Sequence, residues 1–197
     1  LWKVAEETQL LFGGGASPID AVAMLTPSAF VSGAQDGSLA LWSSMRKKAL
    51  ASVRVAHGRG GAETGGGSPC WISSLASAAY SDLLVSGSCD GHVRWWRADE
   101  EARCIEPVGS TPLVGFINGI VMAPSGSFAA VAVGQEHRLG RWFRVREARN
   151  GLAILPLPKC VHAPPKLLSS LAGRSRKMRA PWEESAEAAL VSESDEE

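Results

Sequence analysis

Arg138, Arg141, Arg144, Arg146 and Arg149 fall within a dozen residues, with two glutamates, Glu136 and Glu147, for a net charge of +3 across 135–149. A guanidinium presents a planar fork of donors that grips phosphate oxygens in pairs and stacks on base faces. An arginine-bearing loop and strand edge is therefore suited to structured RNA. The same forks also brace carboxylates on neighbouring elements or on a partner protein, and charge alone leaves both readings open. If the segment is an extended strand, alternate side chains share a face. Arg144 and Arg146 then lie with Trp142, Arg141 lies with Phe143 on the other side, and Arg138 sits in the preceding turn.

Other reactive residue types do not assemble into known chemistry. His57, His92, His137 and His162 form neither a G-x-S-x-G elbow nor an H-E-x-x-H pair. Acidic pairs are confined to turns and to the end of the chain, so no enzymatic activity is expected. Cys70, Cys89, Cys104 and Cys160 stand far apart in sequence with no C-x-x-C, which fits reduced thiols rather than a zinc site. The run Gly61–Ser68 imitates a phosphate-binding loop, but Gly67 replaces the required lysine and no helix-forming run follows. A surface loop is the expectation there. Formal net charge is zero, so any electrostatic function must be local. No apolar run reaches the roughly 18–20 residues of a membrane span. The partners expected are therefore macromolecular, with no cofactor, small-molecule substrate or membrane.

The elements that would carry the arginines are repeated. Asp36-Gly37 precedes Trp42, Asp90-Gly91 precedes Trp96, and Glu136-His137 precedes Trp142, each acidic residue six places before its tryptophan. Ser32-Gly33 and Ser86-Gly87 precede the first two at one offset, whereas Gly134 of the third copy comes one place later. The tryptophans are 54 and 46 residues apart. Removing the Gly58–Gly67 insertion brings the longer spacing into the roughly 40–45 residues of a WD-type propeller blade. Each copy reads as short β-runs separated by turn residues, with Asp-Gly suited to a tight hairpin. Thr8–Gly13, Ala49–Val55, Ala102–Pro107 and Gly151–Leu157 are the expected outer strands. The tryptophans are expected to pack between blades, and Asp36 and Asp90 to fix turns.

The fold class is thus all-β: three blades and part of a fourth, over 1–158, of a WD-repeat β-propeller. Leu1 starts in mid-blade, so the C-terminal part of a longer protein is expected. Composition changes over 159–197. Arg174–Arg179 carries four positive charges and Glu183–Glu197 seven acidic residues. Such a charge-segregated tail is expected to be disordered when free. Its basic cluster reads as a nuclear or nucleolar address, a nucleic-acid contact, or a solvated linker.

The arginine segment also carries a resemblance. Gly115-Phe116-Ile117-Asn118-Gly119, Gly134-Gln135-Glu136-His137-Arg138-Leu139-Gly140-Arg141-Trp142, Glu147-Ala148-Arg149-Asn150 and Ile154-Leu155-Pro156-Leu157 resemble the last blade of the U3 small nucleolar ribonucleoprotein WD-repeat family. The close match covers about 115–158, and residues 14–110 match only as ordinary WD repeats. The resemblance implies a seven-bladed propeller behind an N-terminal extension, in a non-catalytic component of the U3 particle. It implies recognition of U3 snoRNA at box B/C beside a kink-turn-binding protein. It further implies work in the small-subunit processome of the nucleolus, on pre-rRNA cleavage and 18S maturation. By the resemblance, Gln135, Glu136, His137, Arg138 and Arg141 belong to a family-specific contact surface, to which charge adds Arg144, Arg146 and Arg149. Ser43, Arg97 and Phe143 stand where an Asp usually follows the repeat tryptophan. The competing reading is a generic WD-repeat scaffold or adaptor without direct RNA contact, told apart by its bound partner.

Overall fold

Alternating apolar runs broken by glycine, proline and aspartate give short antiparallel strands here. The computed structural model describes residues 2–13, 17–61, 64, 66–78 and 81–157. A short pair, β1 (Trp2–Lys3) and β2 (Thr8–Gln9), flanks a turn of 3-10 helix at Val4–Glu6. The first four-stranded sheet follows, with β3 (Ile19–Met24), β4 (Ala29–Ala34), β5 (Leu39–Ser43) and β6 (Arg46–Val53). The second comprises β7 (Ser74–Ser77), β8 (Leu83–Gly87), β9 (His92–Asp99) and β10 (Cys104–Pro112). In both, each strand pairs with its sequence neighbour in an up-and-down meander. The Asp-Gly turns have the positive φ expected, 74° at Gly37 and 76° at Gly91.

The third sheet departs from the repeat. Here β11 (Phe116–Met122) pairs with β12 (Phe128–Gly134), but the next strand in the sheet is β15 (Gly151–Pro156). Between them the chain leaves to form a separate hairpin of β13 (Glu136–His137) and β14 (Gly140–Arg144). Two expectations are corrected. Residues 151–157 are not an outer strand but the third strand, with Leu155 opposite Ala129 where Trp42 stands opposite Phe30 and Trp96 opposite Leu84. Trp142 is not a blade-packing residue, since it is 61% exposed on the extra hairpin. The acidic-to-tryptophan spacing matched, but the hydrogen-bond ladder chose a later strand.

Consecutive sheets stack, with the first strands β3, β7 and β11 side by side. Side chains alternate along β9, so Trp96 enters the core against the first sheet with Leu84, Leu41 and Ile72. Trp95 enters the core against the third sheet with Val85, Ile117 and Val131. The serine-glycine pairs serve this stacking. Ser32 and Ser86 Oγ accept the indole N–H of Trp42 and Trp96, each at 2.8 Å. Gly33 and Gly87 leave room for the next sheet's isoleucine: a Cβ there would lie 2.3 Å from Ile72 Cγ2 or 2.2 Å from Ile117 Cγ2. The segment 158–197, with its basic and acidic runs, lies outside the described residues.

Candidate nucleic-acid interface

Two polar assemblies stand out, and the first is structural. Trp96 Nε1–H donates to Ser86 Oγ (2.8 Å), Ser86 Oγ meets His57 Nε2 (2.7 Å), and His57 Nδ1 meets Asp90 Oδ1 (2.8 Å). Arg94 closes the chain with Nε and Nη2 on Asp90 Oδ2, at 3.1 and 2.7 Å. One tautomer satisfies every atom: the serine hydroxyl donates to Nε2 and Nδ1–H donates to the carboxylate. Burial pushes the His57 pKa down, keeping the ring neutral against the pull of Asp90. Burial raises the Asp90 pKa, but His57 and Arg94 outweigh it and hold the carboxyl below its ordinary range. The order of residues imitates a nucleophile–base–acid triad, yet Ser86 is fully buried and its oxygen already engaged. A nucleophile needs an open approach to a reacting atom, so this is a clamp between the loop before β7 and the β8–β9 turn.

The second assembly is the extra hairpin. Asn118 on β11 holds it from below, accepting the Arg138 N–H at Oδ1 and donating Nδ2–H to the Glu136 carbonyl, each at 2.9 Å. Asn150 Oδ1 accepts the Gln135 N–H (2.8 Å), and Gln135 Nε2 donates to the Ala148 carbonyl (2.8 Å) and the Arg146 carbonyl (3.3 Å). The strand ladder slips between Glu136 and His137, which pair with Arg144 and Gly140 respectively. Three residues are therefore looped out of register, and simple alternation fails. Arg141 Nε and Arg144 Nε converge on Glu136, at 3.1 and 4.0 Å, instead of facing opposite ways. Arg144 Nη2 also donates to Gln135 Oε1 (2.8 Å). Arg146 lies beyond β14 and does not share a strand face with Trp142.

Arg138, Arg141, Arg144, Arg146 and Arg149 are all exposed, Arg141 most fully with its side chain at 87%. Arg138 also reaches the Ser73 carbonyl ahead of β7, at 3.4 Å. Gln135 and Glu136 are half-buried braces. His137 is buried at 7% exposure. Its ring meets Trp71 at 5.4 Å, Phe116 at 6.1 Å and Trp142 at 6.4 Å between centroids. Burial, then the Arg138 charge, push its pKa down against Asp20. Since Nδ1 accepts the Leu139 N–H (3.2 Å), the proton of the neutral ring sits on Nε2.

The arginine-bearing face can then be set against known proteins. No protein-family model matches the chain. U3 small nucleolar RNA-interacting protein 2 of Mus musculus is 45% identical over 159 residues, covering 81% of this chain and 33% of its own length. U3 snoRNP-associated protein-like EMB2271 of Arabidopsis thaliana is 38% identical over 162 residues, covering 80% and 34%. Among solved structures, U3-55K aligns with a TM-score of 0.74 at 47% identity, over 79% of this chain and 47% of that one. The RRP9 WD40 repeats give 0.75 at 46%, over 80% and 47%. This stretch belongs to the U3 small nucleolar ribonucleoprotein WD-repeat family. Its sheets are WD40 repeats, and the chain spans about one third of the length of the curated relatives it matches.

Within this family stretch, the residues that position the arginines were the hardest to find from sequence. Asn118 and Asn150 carry no charge and sit 32 positions apart, yet they fix the base of the hairpin. His57 gave a weak signal, since the insertion that follows it hides its spacing to Asp90. Cys70 and Cys89, far apart in sequence, face each other through a hydrogen bond that, with burial, pushes the Cys70 thiol pKa up. The Gly58–Gly67 loop, where described, is tied by Gly60 N–H to Ser68 O and Gly67 N–H to Gly60 O, each at 2.8 Å.

Proposed function

We propose that this chain forms part of a non-catalytic component of the U3 small nucleolar ribonucleoprotein, working in pre-rRNA processing and 18S rRNA maturation in the nucleolus. It binds U3 snoRNA through the hairpin face, beside the kink-turn-binding protein and other small-subunit processome proteins. The observation that carries the reading is the hairpin itself. The third sheet pairs β12 directly with β15 and takes no strand from 135–149, yet the chain is diverted there and an exposed arginine row is braced by Asn118 and Asn150. Similarity to proteins named for U3 RNA interaction supports it. Arginine forks on phosphates supply affinity, and the fixed spacing of the row selects a folded RNA by shape.

Replacing Arg138, Arg141 and Arg144 together with alanine in the full protein tests this. Binding to U3 snoRNA is expected to weaken, and the slope of log K against log salt to flatten by about 0.7–0.9 for each phosphate left without its arginine. Unchanged affinity and slope would remove the hairpin from RNA binding. Co-purification with a non-ribosomal assembly free of RNA would favour an adaptor role instead.

A further inference from the structure

The extra hairpin does more than display arginines. It closes an aromatic cavity of about 110 Å³ on the same face, between the second and third sheets. Trp71, Phe116, His137, Trp142 and Phe143 supply its ring surfaces, and the loop before β7 forms the opposite rim. Trp142 folds back over Gly140, where a Cβ would lie 2.8 Å from the indole ring. Trp71 meets Trp142 at 5.8 Å between centroids. Aromatic side chains at this spacing normally fill a core, but here they surround open space and Trp142 stays largely exposed at its mouth.

Two further features restrict what fits. His137 Nε2 is buried and has no hydrogen-bond partner. With Nδ1 already accepting from Leu139, Nε2–H is a donor awaiting an acceptor, and an unmet buried donor is costly. His137 also forms the wall shared with a polar cleft lined by Asn118, Gln135, Glu136, Arg141 and Arg144. A largely ring-lined cavity, with the hydroxyls of Thr64, Ser68, Ser73 and Ser88 also on its wall, thus adjoins a cleft in which Arg141 and Arg144 share Glu136. A hydrocarbon side chain would use the rings and leave the His137 donor unanswered.

We propose that this cavity receives one unpaired nucleobase of a bound RNA, stacked on Trp142, while the arginine cleft takes the adjoining phosphate. The base offers an in-plane acceptor to His137 Nε2–H, which joins stacking to one directional bond. RNA proteins commonly take splayed bases of loops and bulges on aromatic platforms. This inference rests on the RNA reading of the hairpin and adds a base-binding subsite to it.

The test uses the full protein with in vitro transcribed U3 snoRNA, comparing Trp142→Ala, Trp142→Phe and the triple arginine variant. Trp142→Ala is expected to weaken binding roughly tenfold to a hundredfold with the salt slope unchanged, because every arginine keeps its phosphate. Trp142→Phe, which keeps a stacking ring, is expected to recover most of the affinity. If Trp142→Ala binds RNA as tightly as the parent while the arginine variant fails, the base subsite is overturned and the arginine reading stands. Loss of a partner protein in place of RNA affinity would assign the cavity to a protein side chain, also against the proposal. A salt slope flattened as far as in the arginine variant would mean that Trp142 merely holds the hairpin, which overturns the subsite too. Failure of the arginine variant to weaken binding would sink the underlying reading as well.

Discussion

His57 and His137 are both buried and both neutral, yet they act differently because of their partners. Each nitrogen of His57 is matched, by Asp90 and Ser86, so the ring is a fixed structural joint. His137 has one nitrogen matched and one open, which makes it a receptor. The His57 pKa lies below its ordinary value of 6.5. Below that pH the unfolded chain takes up a proton that the folded ring refuses. The contribution to stability is therefore complete above about pH 6.5 and is lost as pH falls towards the folded value. Asp90, held below 3.8, adds a loss in the same direction at lower pH. We expect denaturant midpoints to fall from pH 7 to pH 5. His57→Ala should cost roughly 2–4 kcal/mol, since it strands a buried serine and a nearly buried carboxylate, and should flatten that acid limb. An acid limb of unchanged steepness in the variant would show that another group sets it.

Strand order, rather than strand content, decides what the third repeat presents. In the first two sheets the chain enters a short turn within two residues of the second strand's glycine and returns at once. In the third, Gly134 clears Asn118, whose Nδ2 would lie 2.7 Å from a Cβ there, and the chain passes into the hairpin. Asn118→Ala should loosen the hairpin, seen as faster amide exchange at Arg138, while the stability of the stacked sheets changes little. Gly87 governs the approach of one sheet to the next. Gly87→Ala drives a methyl into Ile117 and should cost about 1–3 kcal/mol. Pairing it with Ile117→Ala should return part of that loss in a double-mutant cycle. Additive costs would show that the close approach does not govern the packing of these sheets. The strands were legible because turn residues and apolar runs recur, and Gly37 and Gly91 occupy the turns that Asp-Gly implied. The hairpin was not, because a tryptophan six places after an acidic residue looks alike whether its strand joins a sheet or leaves it.

Across the stacked sheets together, apolar side chains remain open on the two flanks. Ile19, Val22 and Met24 are exposed on β3, and Val121, Phe128, Leu152 and Ile154 on the third sheet. A propeller blade covers such faces with its neighbours, and uncovered patches drive association. The 197-residue chain on its own should therefore self-associate as concentration rises and bind an apolar-surface dye. Adding the remaining blades should suppress both. A monodisperse, dye-free monomer at high concentration would contradict this reading of the faces.

Residue types and their spacing along the chain were enough to specify the local elements and the chemistry available. Apolar alternation, Asp-Gly turns and Ser-Gly pairs specify strands and their periodicity, and clustered arginines specify a positive face. These properties depend on residues close together in the chain. Long-range packing chose which strand completes the third sheet, where Trp142 points and which arginines meet Glu136. It also joined His57 to Ser86 and Asp90, and left His137 Nε2 facing a cavity. Those outcomes depend on hydrogen-bond register and on neighbours far apart in sequence, for which periodicity has no signal.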